Sequence, residues 1–389
     1  MNRVYLRLAS GLVDDPTKDG SAMATTRIKE VARQAGVSVG TVSNVLNRPE
    51  MVAPERRQRV LDVIDKLGFV RNESARQLRA GQSRTIGMVV IDIANPFFTD
   101  VARGAESVTD DSDSILMLCS SGEDRKRELR HLDMLEQLRV QGILITPVDS
   151  NDPRIDEIAS RGIPVVLVDR RSRGRKRCSV GVNDVLGGRL AVEHLLEQGH
   201  LKIAFVGGPF AIRQVAERHK GACDALAAHG GPFDADLAVI ETGRLTVAAG
   251  REAGVTIAAL PASRRPTAVF CANDLLALGV LQELAHQGVK VPEDIALVGY
   301  DDIDFAAAAP IPLTSVRQPR ELLGRTAAEL LLMEVKDGAD HRHRDVVFDP
   351  ELVVRESSAL RRRRRTPSQP KTAAPSGKKR KPVPTRQTK

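Results

Sequence analysis

Four short segments of this sequence gather carboxylates, amides and aromatic rings in a way that suits the binding of a hydroxylated small molecule. Asp92-Ile-Ala-Asn-Pro-Phe-Phe98 follows one apolar run and Asp169-Arg170 another, while Asn273-Asp274 and Asp301-Asp302 follow two more. Carboxylates accept hydrogen bonds from hydroxyls and amides both accept and donate. Phe97 and Phe98 offer apolar faces to sugar C–H groups. In a chain with two tyrosines and no tryptophan that adjacent pair stands out, with core packing the competing reading for either ring alone. Enzyme chemistry lacks its signatures: there is no GxGxxG, no P-loop and no nucleophile constellation. Gly187-Gly188 and Gly207-Gly208 are isolated pairs that read as turns. The four cysteines (Cys119, Cys178, Cys223 and Cys271) lie far apart, with no CxxC and no metal-ligand pairing. Cys119, Cys223 and Cys271 sit in or beside apolar stretches, where a thiol acts as a small hydrophobe. His341-Arg-His343 sits among charges without further ligands nearby and reads as a solvated loop. No metal and no cofactor is expected.

The scaffold for those segments is an alternation of strands and helices that begins at Arg84. Thr85–Ile91, Ser114–Leu118, Gly142–Thr146 and Pro164–Val168 are short apolar runs, and the rhythm starts again with Lys202–Val206, Ala268–Cys271 and Ile295–Val298. Such runs fit strands buried on both faces of a parallel sheet. Between them, Arg125–Arg139 repeats Leu129, Leu132, Leu135 and Leu138 at helical spacing. Two successive rhythms of similar length predict two doubly wound α/β lobes. Ligands of such sheets bind beyond the carboxyl ends of the strands, where the polar segments lie, and two lobes make a cleft.

Ahead of this body the periodicity is purely helical. Ile28, Val31, Ala32 and Ala35 share one helix face, Gly36-Val37-Ser38 breaks it, and Ser38 is a good N-cap for the next helix. That second helix, Val39 to Leu46, buries Val42, Val45 and Leu46 and exposes Val39, Gly40, Ser43 and Asn44. A third begins at Pro54 and turns Val60, Leu61, Ile64 and Leu67 inward. Two short helices with a tight turn, braced by a third, make an all-α helix-turn-helix head, whose second helix offers short polar side chains to a major groove. A generic three-helix bundle is the alternative.

Length and charge agree with this division. The 389 residues predict two or three domains. No run approaches eighteen apolar residues, and Met1 to Thr25 lacks a secretory pattern, so a cytoplasmic location is expected. The net charge of +8 is segregated: residues 361–389 carry twelve basic residues and no acid, 24–84 carry twelve basic and six acidic, and 1–23 balance, which leaves −10 on 85–360. A basic head and tail on an acidic body point to a polyanionic partner at one end. The tail, rich in Arg, Lys, Pro, Ser and Thr, reads as disordered, either touching phosphates loosely or merely solubilising.

The wording of the head narrows the choice. Ala35-Gly-Val-Ser-Val-Gly-Thr-Val-Ser-Asn-Val-Leu-Asn47, with Gly68-Phe-Val-Arg-Asn72 and Ala75-Arg-Gln-Leu-Arg-Ala80, resembles the lactose-repressor (LacI/GalR) family of transcriptional regulators. The resemblance implies that Val39, Gly40 and Asn44 read bases, and that Ser38, Thr41, Ser43 and Asn47 hold phosphates or support the helix. It further implies a hinge helix at Ala75 and Leu78, with Leu78 wedged into a central minor-groove step. Arg27 stands where family members usually begin with a capping Thr, a role Thr26 can take. The body resembles the periplasmic sugar-binding fold that the family uses as its effector domain, through Asn95-Pro-Phe-Phe98, Val182-Asn-Asp-Val-Leu-Gly-Gly188, Ala272-Asn-Asp-Leu-Leu-Ala-Leu-Gly279 and Val298-Gly-Tyr-Asp-Asp302. Carried over residue by residue, this implies effector contacts from Asp169, Arg218 and Asp274, with Arg170 alongside, and then from Asn95, Phe98 and Gln214. Leu245 lies where a purine-binding relative stacks an aromatic, which argues against a nucleobase.

The expected organisation is an N-terminal extension (1–23), a helix-turn-helix domain (24–72), a hinge (73–84), a two-lobed effector and dimerisation domain (85–360) and a basic tail (361–389). Within 85–360 the first lobe takes 85–182 and 314–342, and the second 183–313 and 343–360. The implied function is a dimeric repressor of carbohydrate genes that binds near-palindromic operator DNA under control of a sugar-like effector. A global regulator answering a partner protein is the alternative. A secreted solute receptor would share the body but not the helix-turn-helix.

Overall fold

The computed structural model describes residues 28–69, 83–149, 151–172, 176–229 and 237–359. The chain divides into two compact units between Gln82 and Ser83. Ala75, Leu78, the N-terminal extension and the basic tail lie outside the described residues.

The first unit is the three-helix head. Helix α1 (Ile28–Ala35) buries Val31, Ala32 and Ala35, and Gly36 turns the chain with a positive φ of 64° that suits glycine. Helix α2 (Val39–Asn47) starts at Ser38, whose Oγ accepts a hydrogen bond from Thr41 N at 3.0 Å. Helix α3 (Pro54–Leu67) opens on proline and closes on the left-handed Gly68. Val31, Ala32, Ala35, Val42, Val45 and Val60 form the core. Leu61 departs from expectation, being exposed. Val60, Ile64 and Leu67 already fill the i, i+4, i+7 stripe, and Leu61 lies about 100° round the helix from Val60.

The second unit contains two six-stranded sheets. The first lobe runs β1 (Thr85–Val90), α4 (Pro96–Asp111), β2 (Ile115–Ser120), α5 (Arg125–Gln137), β3 (Gly142–Ile145), α6 (Pro153–Ser160), β4 (Val165–Val168) and β5 (Ser179–Val182). The chain then crosses to α7 (Asp184–Glu197), β6 (Ile203–Gly207), α8 (Arg213–Ala228), β7 (Ala238–Glu241), α9 (Val247–Ala259), β8 (Ala268–Cys271), α10 (Asp274–His286), β9 (Ala296–Asp301), α11 (Asp304–Ala308) and β10 (Thr314–Arg317). It returns for α12 (Arg320–Asp337) and β11 (Asp345–Phe348), then crosses once more to β12 (Glu351–Val353). Sheet orders are β2-β1-β3-β4-β5-β11 and β7-β6-β8-β9-β10-β12, parallel throughout except for β12.

Two expected boundaries shift. Residues 314–317 belong to the second lobe, because β10 pairs with β9 from Thr314↔Val298 onward. Residues 345–348 belong to the first lobe, where β11 pairs with β5 and Val346 and Phe348 pack on its core. Gly187 and Gly188 are not a turn but part of α7. A Cβ on Gly188 would overlap the Arg218 carbonyl, and one on Gly221 that of Val185, so α7 and α8 touch backbone to backbone. Gly104 and Gly324 do the same for α4 and α12, and Gly250 and Gly279 for α9 and α10. The His341–His343 segment is likewise not a solvated loop: the His341 side chain is 4% exposed, and its Nε2 lies 3.2 Å from Cys178 Sγ. Parallel pairing of β5 with β11 brings these distant residues together.

Candidate functional site

In the head, α2 presents Gly40, Asn44 and Asn47 exposed on one face, spaced i, i+4, i+7. Nothing but Ser38 Oγ, at 3.6 Å, approaches the open position above Gly40. Ser38 Oγ and Thr41 Oγ1 are 3.0 Å apart, and Asn47 Nδ2 donates to Ser43 O at 2.8 Å and to Ser43 Oγ at 3.2 Å. Val39 is half-buried against the head core, so the exposed stripe is narrower than expected.

In the body, the carboxyl ends of both sheets face a cleft lined by Asn95, Phe97, Phe98, Asp169, Gln214, Arg218, Leu245, Asn273 and Asp301, among others. Asn95 caps α4, its Oδ1 accepting from Phe97 N at 3.0 Å, and the two phenylalanines meet edge to face at 5.0 Å. Asp169 follows β4 and Asp301 ends β9, both at positive φ (54° and 104°). A non-glycine residue in that region costs free energy, and such strain concentrates at binding sites. The lobes hold each other through two amide–carboxylate pairs. Gln214 Nε2 reaches Asp169, and Asn95 Nδ2 donates to Asp301 Oδ2 at 3.4 Å. About 50 Å³ of free space remains inside, room for roughly one to three waters and far below the ~300 Å³ of an ordinary ligand pocket. The cleft is closed.

Electrostatics single out Arg218. Its Nε donates to Asp184 Oδ1 at 2.8 Å, its Nη1 to Ala272 O at 2.7 Å, and Asp301 Oδ1 lies 3.8 Å away. The guanidinium stacks 3.6 Å over the Tyr300 ring, whose hydroxyl also donates to Asp184. Burial, reinforced by the Asp184 charge, pushes Asp169 up to about 7. Burial likewise raises Asp301 to about 6, against the opposing pull of Arg218. Asp169 Oδ1, Gln214 Oε1 and Gln318 Oε1 are buried without a hydrogen-bond partner. Unpaired acceptors in a closed cleft are costly, and hydroxyl donors would satisfy them.

Of the expected contacts, Asn95, Phe98, Asp169, Gln214 and Arg218 line this space and two do not. Arg170 turns to Pro147 O and lines a separate, larger depression of about 500 Å³ with Arg171, Lys176 and Arg213. Asp274 accepts from Ser315 Oγ at 2.6 Å and Ile303 N at 2.9 Å, which ties the start of α10 to β10 and to the segment just after β9. Asp301, at the end of β9, lines the cleft where Asp274 was expected to. Asn273 and Asp301, picked out as polar residues at strand ends but not among the carried-over contacts, are in the lining. The missed residues are Asp184 and Tyr300 behind Arg218, and Gln318, whose Nε2 donates to Asp301 Oδ1 at 2.7 Å.

A helix-turn-helix head and a two-lobed α/β body closing on a polar cleft define the class of transcriptional regulator whose DNA-binding head is joined to a periplasmic-binding-protein-like domain. Residues 27–72 match the bacterial regulatory proteins of the lacI family, and residues 192–358 the periplasmic binding protein-like domain. The HTH-type transcriptional repressor PurR of Aliivibrio fischeri (strain MJ11) is 36% identical over 341 residues, 87% of this chain and 99% of that protein. Among solved structures, the complex of the transcriptional regulator CelR with cellobiose has 32% identity and a TM-score of 0.63, covering 86% of this chain and 100% of that one. The lac repressor dimer bound to operator and the anti-inducer ONPF has 26% identity and a TM-score of 0.72 over 86% and 99%. The chain belongs to the lacI family of bacterial regulatory proteins. Among the described residues no helix is long and apolar enough to cross a membrane.

Proposed function

We propose that this protein is a dimeric repressor whose hold on operator DNA is set by a sugar or sugar-like effector in the cleft between its lobes. The observation that carries this reading is the ring formed by Asn95, Asp169, Gln214, Arg218 and Asp301, with buried acceptors on Asp169 and Gln214 left unpaired. Fixed donors and acceptors around Phe98 suit a molecule with hydroxyl edges and C–H faces, and cellobiose bound to CelR supports the same chemical class. Leu245 in the lining offers an aliphatic rather than an aromatic face, which favours a sugar over a planar base.

On the DNA side, Gly40 and Asn44, with Val39 beside them, read base edges, while Ser38, Thr41, Ser43 and Asn47 support the helix or touch phosphates. Ala75 and Leu78, which lie outside the described residues, are the hinge contacts to the operator in this reading, and the effector acts by changing the spacing of the two hinges in the dimer. The chain works in the cytoplasm at the nucleoid and catalyses no reaction. A mobility-shift screen of mono- and disaccharides, cellobiose included, on the full-length protein tests the reading. One sugar should change operator affinity in wild type and not in Asp301→Ala. If no sugar acts and a partner protein does, the cleft is not the sensor.

A further inference from the structure

One cluster of metal-binding side chains lies well away from the cleft, at the amino-terminal edge of the first lobe's sheet. Cys178 immediately precedes β5, His341 and His343 precede β11, and Glu334 sits in the last turns of α12. Their potential ligand atoms all lie within 4.8 Å of one another. Cys178 Sγ is 3.2 Å from His341 Nε2 and 3.9 Å from His343 Nδ1, and His343 Nδ1 is 3.8 Å from Glu334 Oε2. A tetrahedron with metal–nitrogen and metal–sulfur bonds of about 2.0–2.3 Å sets its ligand atoms about 3.3–3.7 Å apart. The observed spacings bracket that range.

Three further features separate this cluster from a chance grouping. Asp337 Oδ2 lies 3.2 Å from His341 Nδ1. That places a carboxylate on the nitrogen opposite the one facing Cys178, the arrangement in which a carboxylate orients a metal-bound imidazole. Glu334 Oε2 is buried and makes no hydrogen bond, while Arg177, the cation beside it, is engaged by Asp156. Finally, the charges balance: one thiolate, one carboxylate and two neutral imidazoles cancel a divalent cation, which removes the penalty of burying either anion alone.

We propose that Cys178, Glu334, His341 and His343 form a closed site for one Zn2+ that fastens β11 and the end of α12 to β5. Sulfur and imidazole ligands favour Zn2+ over Mg2+ or Ca2+, and four protein ligands leave no open position, as in a structural rather than a catalytic site. The segment held, residues 334–345, lies on the chain's return from the second lobe. The ion therefore locks the closing strand of the first sheet at the end opposite the cleft.

The test uses untagged full-length protein, reduced and stripped with chelator, and Zn2+ or Co2+ as the probe. Wild type should bind one Zn2+ per chain by elemental analysis, and Zn2+ should raise its melting temperature. Co2+ should give the intense visible bands of tetrahedral coordination together with a near-ultraviolet thiolate charge-transfer band. Cys178→Ser should lose that charge-transfer band, and His343→Asn, at a part-exposed position, should weaken Zn2+ binding at least tenfold while keeping the apo melting transition. Absence of stoichiometric Zn2+ on folded wild type overturns the proposal without needing any variant. So does a Co2+ spectrum unchanged in both Cys178→Ser and His343→Asn.

Discussion

Gln214 Nε2 spans the cleft to Asp169, donating at 2.6 Å to its Oδ2 and at 2.7 Å to its carbonyl oxygen. With Asn95 and Asp301 on the other side, each clasp between the lobes pairs a neutral amide with a carboxylate that burial has made reluctant to ionise. A ligand offering hydroxyls can replace the amides, which makes the clasps the natural point of exchange between empty and filled states.

The exchange should depend on pH. The raised values mean that protonation of Asp169 and Asp301 favours the empty folded state. That contribution is intact below the ordinary carboxylate range and is lost as pH rises through about 6 to 7. Sugar hydroxyls donating to the carboxylates favour the ionised form. Effector affinity should therefore increase from pH 5.5 to 8, with protons released on binding near pH 6. Calorimetry in buffers of different ionisation enthalpy reads the release directly; uptake of protons instead would contradict the assignment.

Asp301 and Asp274 should behave differently when truncated. Arg218→Ala or Asp301→Ala should weaken effector binding by roughly 2–5 kcal/mol, since each leaves a buried partner unpaired. Asp274→Ala should instead destabilise the fold by about 1–3 kcal/mol through loss of the Ser315 and Ile303 hydrogen bonds. Thermal melts and sugar titrations on the three variants separate the roles.

If the exposed Asn44 amide reads base edges, as proposed, Asn44→Ala should cost about 1–3 kcal/mol on the operator and little on random duplex. Fluorescence anisotropy on both duplexes at one salt concentration decides it. Equal losses would place Asn44 on the backbone.

Gly188→Ala should lower stability by about 1–3 kcal/mol or more, since a methyl there meets a peptide carbonyl that only a shift of α7 against α8 can relieve. Denaturant melts check this, and an Ala tolerated without loss would mean that the helices are free to separate.

The helix-turn-helix was readable because its signals are local: Gly36 for the turn, Ser38 for the cap, and apolar residues at helical spacing. The cleft was readable in part. Asp169 falls at a strand end that the α/β rhythm positions, while Gln214 came only from the family resemblance. Asp301 was legible as a carboxylate at a strand end, but the family resemblance put the contact on Asp274 instead. In the structure Gly299 lies inside β9, and a Cβ there would collide with the Asp274 carboxylate. The Cys178 cluster shows in the sequence only as the His341-Arg-His343 pair, since 163 residues separate Cys178 from His341 and only strand pairing unites them.

The three crossings between the lobes bear on how the chain is made. Each sheet receives its sixth strand only after the other lobe has been laid down, β11 ending at Phe348 and β12 at Val353. On the ribosome, the first lobe begins at Thr85 but keeps an open edge at β5, which ends at Val182, until the 166 further residues to Phe348 have emerged. Neither lobe can be released as a finished folding unit ahead of the other. A premature stop anywhere between Arg317 and Asp345 would leave two unfinished sheets, not one intact lobe and one missing.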